Sequence, residues 1–311
     1  MRLPLYVLLA FASAILAIPQ DTPETTFKVD VKLVNVYVTV TDQQGAPIGN
    51  LTKNDFSVSE DGVSQKIAIF SKESQLPLSI VLAVDTSSST RKDIRLELEA
   101  ARRFIHSIIR PQDAVALYTF ATYVNEVVPF TAKLHQIDSA INEVRVGGAT
   151  SLYDAVYLGA KALVNRQGRK VLVLITDGGD TASSVDYKEA LRSAQQSEAL
   201  VYSLIDVPVE ASAGRNTGGE HALIQISNDT GGKYYYASNV AQLEKAFEQI
   251  SDELRTQYLL AYYPAPRRAS SDFRQIDVDV HPHDLPESQG SDGSEKLIVR
   301  ARRGYYTSKL E

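Results

Sequence analysis

The stretch LSIVLAVDTSSST, residues 78–90, joins a nearly continuous apolar run to a cluster of small oxygen-bearing side chains. A run such as Leu78–Val84 predicts a β-strand that is covered on both faces, as the strands of parallel sheets are. Asp85, Ser87 and Ser89 follow directly, where that strand would end. Because open parallel sheets bind ligands beyond the carboxyl ends of their strands, this stretch predicts both a fold class and the position of a site.

Further apolar runs of the same kind follow along the chain, and helical patterns separate them. The runs are Ala114–Phe120, Val171–Ile175 and Leu200–Ile205. Apolar residues also recur at helical spacing in residues 94–108, 152–164, 187–196 and 240–254. A long alternation of strands and helices is typical of βαβ units. We therefore predict an α/β fold over residues 76–255, with a doubly wound, mostly parallel sheet.

The segments on either side of this region have the alternation of half-buried antiparallel strands. They cover residues 27–75 and residues 256–311. In the first segment, Glu60-Asp61-Gly62 predicts a hairpin turn that leads from the strand of Phe56 and Val58 into the strand of Ile67 and Ile69. Neither segment alone has enough strands to bury a core. We therefore predict that the two segments pair into one antiparallel β-sandwich-like domain, into which the α/β domain is inserted.

The first residues of the chain have the pattern of an export signal. Residues 1–17 combine one arginine with a long apolar stretch and small residues near its end, which is typical of a cleaved signal peptide. An uncleaved membrane anchor is the alternative, but the apolar stretch is short for a span. We interpret residues 18–26 as a linker. We expect a secreted, periplasmic or cell-surface protein with no membrane span after cleavage.

Composition and missing motifs exclude several classes of function. With 32 Lys+Arg against 38 Asp+Glu, the formal net charge is −6, which argues against a nucleic-acid partner. The chain has no cysteine, so thiolate metal sites, disulfide scaffolds and cysteine nucleophiles are excluded. No P-loop or G-x-G-x-x-G follows a predicted strand, and G-x-S-x-G is absent. Nucleotide binding and serine hydrolysis are therefore unsupported.

Oxygen-bearing side chains occur where a doubly wound fold would place its ligand site. Asp85, Ser87 and Ser89 follow the first apolar run, Thr150 opens a predicted helix, and Asp177 ends a later strand. A hard cation such as Mg²⁺ takes about six oxygen ligands and usually keeps some waters. Carboxylates from two strand ends, with hydroxyls from nearby turns, can supply part of such a shell. With few negative ligands around it, the cation could still accept a carboxylate from a partner.

Each of these motifs also has a simpler interpretation. Asp and Ser at helix starts are common N-caps, and Asp177-Gly178 alone is a common turn after a strand. Their order along successive strand ends favours the metal site over caps and turns. Two further carboxylates in the same segments, Asp154 and Asp180, are interpreted as a helix-turn carboxylate and a loop cap rather than as ligands.

A D-x-S-x-S motif, a later threonine and a later aspartate together resemble the metal-ion-dependent adhesion site of the von Willebrand factor A domain family. The matching residues are Asp85, Ser87, Ser89, Thr150 and Asp177, and the resemblance covers residues 76–255. It implies that Ser87, Ser89 and Thr150 bind a cation directly or through water. It also implies that the two aspartates hold coordinated waters or the ion itself.

The resemblance has one local departure and one extension. Ser88 and Thr90 stand where the family commonly has Gly and Met, and the resemblance implies that neither residue is a ligand. The flanking segments, which contain DFSVSEDG and RGYY, resemble a bacterial group of secreted proteins related to A domains.

The function that this resemblance implies is a non-enzymatic binding module with no catalytic residue. Mg²⁺, or else Mn²⁺ or Ca²⁺, would link the site to an acidic side chain of a partner protein. The alternatives that stay open are a metal-assisted hydrolase and a structural protein of envelope assembly. In the structural alternative the ion would only stabilise the loops.

Overall fold

A computed structural model describes residues 33–72, 76–90, 94–206, 217–265, 272–281 and 297–308. The predicted signal peptide and linker, residues 1–17 and 18–26, lie outside these ranges. The described strands are Val34–Thr41 (β1), Phe56–Glu60 (β2), Val63–Gln65 (β3), Ile67–Lys72 (β4), Leu78–Asp85 (β5), Ala114–Phe120 (β6), Val124–Thr131 (β7), Arg169–Thr176 (β8), Leu200–Asp206 (β9), Lys233–Ala237 (β10), Tyr258–Tyr262 (β11), Phe273–Val280 (β12), Ile298–Arg300 (β13) and Gly304–Tyr306 (β14). The described α-helices are Ile94–Ile108 (α1), Leu134–Glu143 (α2), Leu152–Leu163 (α3), Tyr187–Ser197 (α4), Thr217–Thr230 (α5) and Val240–Thr256 (α6), and Lys53–Asp55 is a 3-10 helix.

The apolar runs of the sequence form the centre of a six-stranded sheet with the order β10-β9-β8-β5-β6-β7. Strands β10, β9, β8, β5 and β6 are parallel, and β7 pairs antiparallel with β6 at one edge. Every residue of β5 and of β6 is buried, as expected for strands with both faces covered. The prediction of a doubly wound, mostly parallel sheet is therefore confirmed.

Helices cover both faces of this sheet, and alternate residues of each strand divide between them. Leu82 and Val84 of β5 belong to the hydrophobic cluster that contains α1, α2 and α6. Val81 and Ala83 belong to the cluster on the other face, which contains α3, α4 and α5. Among the described helices, none is long and apolar enough to cross a membrane.

Some elements were not predicted from the sequence, and each has a physical reason. Strand β7 is largely exposed because it lies at the sheet edge, so it lacks the apolar run of a central strand. Helix α5 begins with Thr-Gly-Gly, and glycine is among the poorest helix formers.

The flanking segments form two antiparallel sheets in which strands from the two sides of the α/β region pair directly. One sheet has the order β13-β1-β11-β4, and the other has the order β14-β12-β2-β3. Val36 of β1 pairs with Leu260 of β11, and Val58 of β2 pairs with Val278 of β12. One hydrophobic cluster contains residues of both sheets. The exact domain boundaries at residues 75 and 256 stay a prediction.

The predicted hairpin turn forms, but it leads into a different strand. Asp61 and Gly62 both have positive φ, 48° and 75°, as the two central residues of a type I′ turn require. The turn joins β2 to the short strand β3. Ile67 and Ile69 belong to the next strand, β4, which pairs with β11 in the other sheet. The chain therefore changes sheets between β3 and β4, which the alternation pattern did not indicate.

A buried ion pair connects the last helix of the α/β region to the antiparallel sheets. The side chain of Glu253 in α6 is 2% exposed and contacts the guanidinium of Arg300 in β13. Lys233 Nζ and the Tyr235 hydroxyl lie 3.5 and 3.3 Å from the same carboxylate oxygen of Glu253. A strand that follows the α/β region thus neutralises a charge within it.

We predict that Tyr258→Phe lowers the free energy of unfolding by about 1–3 kcal/mol. Tyr258 is 1% exposed. Its hydroxyl accepts a hydrogen bond from Leu51 N–H at 3.0 Å and donates one to the Ile48 carbonyl at 2.7 Å. Phenylalanine would leave both backbone groups without this partner, and urea unfolding measures the loss. Tyr263, 59% exposed, is the matched control, and Tyr263→Phe should stay within about 0.5 kcal/mol of wild type. Equal stabilities of the two variants would contradict the prediction.

Candidate metal centre

Asp85, the last residue of β5, is a fully buried carboxylate. Its Oδ1 accepts a hydrogen bond from Ser87 N–H at 2.8 Å, and its Oδ2 accepts one from the Thr176 hydroxyl at 2.7 Å. Burial raises the pKa of Asp85 to about 6; the Ser87 and Thr176 hydrogen bonds oppose that rise and the charge of Asp177 adds to it. The described side chains that act on this carboxylate include no cation. A buried negative charge of this kind favours a positive ligand.

The two serines of the D-x-S-x-S motif bring their hydroxyls together. Ser87 Oγ and Ser89 Oγ are 3.0 Å apart, and Ser87 is buried whereas Ser89 is exposed. The Thr90 hydroxyl closes the turn by hydrogen bonding to the carbonyl oxygens of Asp85 and Ser87, at 3.2 and 3.1 Å. The turn therefore brings the side chains of Ser87 and Ser89, two residues apart, to the same side.

Thr150 is held beside this turn by the glycines that precede it. Gly147 N–H donates to the Thr86 carbonyl at 2.8 Å, and Ser88 N–H donates to the Gly148 carbonyl at 3.2 Å. Gly148 has a φ of +93°, and a Cβ atom there would lie 2.4 Å from Thr122 Oγ1. A side chain at this position would therefore push the segment away from its neighbours. Thr150 itself is 6% exposed.

Asp177 directly follows β8, and β8 is paired with β5 in the sheet. Its Oδ1 accepts a hydrogen bond from Gly179 N–H at 3.1 Å. The preceding Thr176 orients the region, because its hydroxyl donates to Asp85 and accepts from Gly178 N–H at 3.1 Å. The segment after Asp177 then reaches Thr150, with Thr181 N–H donating to the Thr150 carbonyl at 2.8 Å.

The predicted site residues thus belong to segments that bond to one another at the carboxyl ends of β5 and β8. These residues are Asp85, Ser87, Ser89, Thr150 and Asp177. Carboxylates and hydroxyls are donors that suit Mg²⁺ or Mn²⁺. No group of three or more His, Cys, Asp or Glu side chains suited to a metal occurs within the described ranges. The carboxylate and hydroxyl oxygens of the five predicted residues nevertheless fit a hard cation. That they bind one stays a prediction.

Asp154 lies in the first turn of α3, as interpreted from the sequence, whereas Asp180 caps α3 rather than its own loop. Asp180 Oδ1 accepts from Leu152 N–H at 2.9 Å, and Asp154 Oδ1 accepts from Ser184 N–H at 2.9 Å. Sequence reasoning missed Thr176, which contacts the buried carboxylate directly. Its position in the sequence could have identified Thr176, because it is a hydroxyl residue at the end of an apolar strand, one residue before Asp177.

Comparison with known proteins agrees with this fold. The sequence profile of the von Willebrand factor type A domain matches residues 79–249. The chain therefore belongs to the von Willebrand factor type A domain family. No curated protein matches the chain at a significant level.

Solved structures with this fold come from several bacteria. A von Willebrand factor type A protein from Catenulispora acidiphila is 10% identical, with a TM-score of 0.51 over 83% of this chain and 72% of that chain. The vWF domain of the type V pili tip protein Mfa5 from Porphyromonas gingivalis is 12% identical, with a TM-score of 0.47 over 57% of this chain and 94% of that chain. The PilB minor pilin from Streptococcus sanguinis is 15% identical, with a TM-score of 0.47 over 58% and 62%. The similarity to the Catenulispora acidiphila protein concerns the fold alone.

Proposed function

We propose that this chain is an exported protein-binding module of the adhesion type, in which a divalent cation links the site to an acidic side chain of a partner protein. The observation that carries the proposal is the fully buried Asp85 carboxylate, which has hydroxyl and carboxylate oxygens around it and no cationic partner among the described side chains that act on it. Export is proposed from the signal-like sequence of residues 1–17.

Each residue of the site has a distinct role in this proposal. Ser87, Ser89 and Thr150 would offer hydroxyl oxygens to the cation, and Asp85 and Asp177 would balance its charge directly or through water. When bound, Mg²⁺ or Mn²⁺ would supply an electrophilic position that a carboxylate can occupy. Because Ser89 is exposed, such a carboxylate can approach from solvent.

We propose binding rather than catalysis for this site. Hydrolysis would need a general base close to a metal-bound water. Glu220 is a carboxylate whose backbone lies beside Gly178. Its side chain accepts a hydrogen bond from the Tyr236 hydroxyl, and Glu220 is 7% exposed. The Tyr236 hydroxyl thus occupies Oε1 of Glu220, and we propose that Glu220 does not act as a general base.

Binding of Mn²⁺ with and without a carboxylate peptide tests the proposal. Water-proton relaxation reports the waters that remain on protein-bound Mn²⁺. We expect the full chain to bind Mn²⁺ and to lose relaxation enhancement when a short peptide with a single Asp is added. The same peptide with Asn in place of Asp is the control, and both peptides have an amidated C-terminus so that they differ only in the side-chain carboxylate. The Asn peptide should leave the enhancement unchanged.

Other outcomes of this experiment would favour the alternatives. Mn²⁺ binding that raises the melting temperature but responds to neither peptide would favour the structural role. Turnover of ester or phosphoester substrates that requires Mn²⁺ and is lost in Asp177→Ala would favour the hydrolase. Absence of any Mn²⁺ binding would contradict the proposed mechanism. Capture of partners from envelope extracts, with and without EDTA, would then identify what the module binds.

A further inference from the structure

The loop after Asp177 and the first turn of α3 are joined by side-chain hydrogen bonds in both directions. Side chains of each segment accept hydrogen bonds from backbone N–H groups of the other. Asp180 and Ser183 accept hydrogen bonds from backbone N–H groups in the first turn of α3. In return, Asp154 in α3 accepts from the backbone N–H groups of Ser184 and Val185, each at 2.9–3.0 Å. We call this arrangement, formed by Asp154, Asp180 and Ser183, the reciprocal cap.

Asp180 makes three hydrogen bonds on the loop side of the reciprocal cap, all through one carboxylate oxygen. Its Oδ1 accepts from Leu152 N–H at 2.9 Å, from Tyr153 N–H at 3.3 Å and from the Ser183 hydroxyl. Helix α3 otherwise lacks a side-chain cap from its own N-cap residue, Ser151. The Ser151 hydroxyl donates instead to the Thr122 carbonyl at 2.8 Å. Asp180 therefore replaces the missing local cap from a distance of 28 residues in the sequence.

The reciprocal cap fixes the segment that holds Thr150. Thr181 N–H and Ala182 N–H both donate to the Thr150 carbonyl, at 2.8 and 3.0 Å. Thr150 N–H donates to Thr181 Oγ1 at 3.0 Å. Both backbone groups of Thr150 are thus bonded to residues that directly follow Asp180. Since Asp177 begins the same loop, the positions of Thr150 and Asp177 are set by one anchored segment.

We propose that Asp180 is a positioning residue of the metal centre, which holds Thr150 in place for the cation without binding the cation itself. This inference rests on the proposed function, because it takes Thr150 as a ligand. Groups that orient metal ligands through hydrogen bonds contribute strongly, and their removal commonly weakens metal affinity by about 10–100-fold.

The test measures the Mn²⁺ affinity of the full-length chain by water-proton relaxation in two variants of one residue. Asp180→Ala removes the acceptor of the α3 N–H groups, and we expect an affinity for Mn²⁺ about tenfold weaker than wild type. Asp180→Asn keeps a carbonyl oxygen in place of Oδ1 but removes the charge, and Asn caps helices as well as Asp does. We therefore expect Asp180→Asn to bind Mn²⁺ with nearly wild-type affinity.

A matched control separates positioning from a general loss of stability. Asp186 caps α4 by accepting a hydrogen bond from Glu189 N–H at 2.8 Å, further along the same loop. Asp186→Ala removes an equivalent N-cap and should leave Mn²⁺ affinity unchanged. If Asp180→Ala does not fold, Ser183→Ala removes the other acceptor of Tyr153 N–H, at 2.9 Å, and should weaken Mn²⁺ binding in the same direction.

Each outcome has a defined meaning. Weak Mn²⁺ binding by Asp180→Ala, with near-normal binding by Asp180→Asn and Asp186→Ala, supports the inference. Equally weak binding by Asp180→Asn and Asp180→Ala would make Asp180 a ligand or a required charge, and would overturn it. Wild-type affinity in Asp180→Ala would overturn it as well, while leaving the proposed function intact. Failure of the wild-type chain to bind Mn²⁺ would overturn the proposed function and this inference together.

Discussion

Asp85→Asn is expected to abolish the rise in melting temperature that Mn²⁺ gives the wild-type protein, while the variant stays folded in EDTA. A cation that binds only the folded state stabilises it by mass action, by about 2.7 kcal/mol at a hundredfold excess over Kd. Asn keeps an oxygen that can accept from Ser87 N–H, but it removes the negative charge. Burial disfavours that charge in the absence of a cation. Removing the charge should therefore change the free energy of unfolding of the metal-free protein only slightly.

Asp113→Asn is the control for removing a buried carboxylate. Asp113 is 5% exposed and accepts hydrogen bonds from Leu78 N–H and Arg110 N–H at 2.8 and 2.9 Å, at the opposite end of β5. Its variant should melt at a lower temperature but keep the full rise with Mn²⁺. Scanning calorimetry in EDTA and in Mn²⁺ measures both quantities. An unchanged Mn²⁺ rise in Asp85→Asn would exclude Asp85 from the metal centre.

Glu253→Ala is expected to destabilise the protein by about 3–5 kcal/mol, the range for removing one partner of a buried ion pair. The variant leaves the guanidinium of Arg300, whose side chain is 15% exposed, without its carboxylate. Lys233 and Tyr235 lose the same acceptor. The loss appears as a lower midpoint of urea unfolding.

An exposed ion pair on the same helix supplies the comparison. Glu244 of α6 contacts Arg103 of α1, and both side chains are about half exposed, at 44% and 52%. Glu244→Ala should therefore cost less than about 1 kcal/mol. The double variant Glu253→Ala with Arg300→Ala should lose less than the sum of its single variants, because it leaves no unpaired charge. Similar costs for Glu253→Ala and Glu244→Ala would contradict the prediction.

The elements that could be predicted are those whose burial requires a recognisable pattern of apolar residues within a short stretch of sequence. The run Ala114–Phe120 is β6 to the residue, because both faces of a central strand must be apolar. Helix α6 begins at Val240 as predicted, after Asn239, whose side chain accepts from Gln242 N–H at 3.0 Å. The change of sheets between β3 and β4 left no such pattern, because strands of either sheet alternate in the same way.

In the candidate site, too, residues with a local sequence signal could be predicted and contacts between distant residues could not. Asp85, Ser87 and Ser89 could be proposed because their spacing within one turn is local, and Thr150 and Asp177 because each lies at a recognisable boundary of a helix or strand. Thr181 and Asp180 were not identified as partners of Thr150 and α3. Their hydrogen bonds join residues 28 and 31 positions apart, and side-chain chemistry alone does not indicate which backbone groups a distant loop reaches.

The pairing of β1 has a consequence for the order in which the protein forms. Val34 pairs with Tyr262, and Thr39 pairs with Arg300, so both neighbours of β1 are synthesised after the whole α/β region. The central sheet needs only residues between Leu78 and Ala237. Contacts between distant parts of a chain form slowly, and domains commonly fold as units during synthesis. The α/β region can therefore fold first. Both edges of β1 stay unpaired until β11 and β13 have been synthesised.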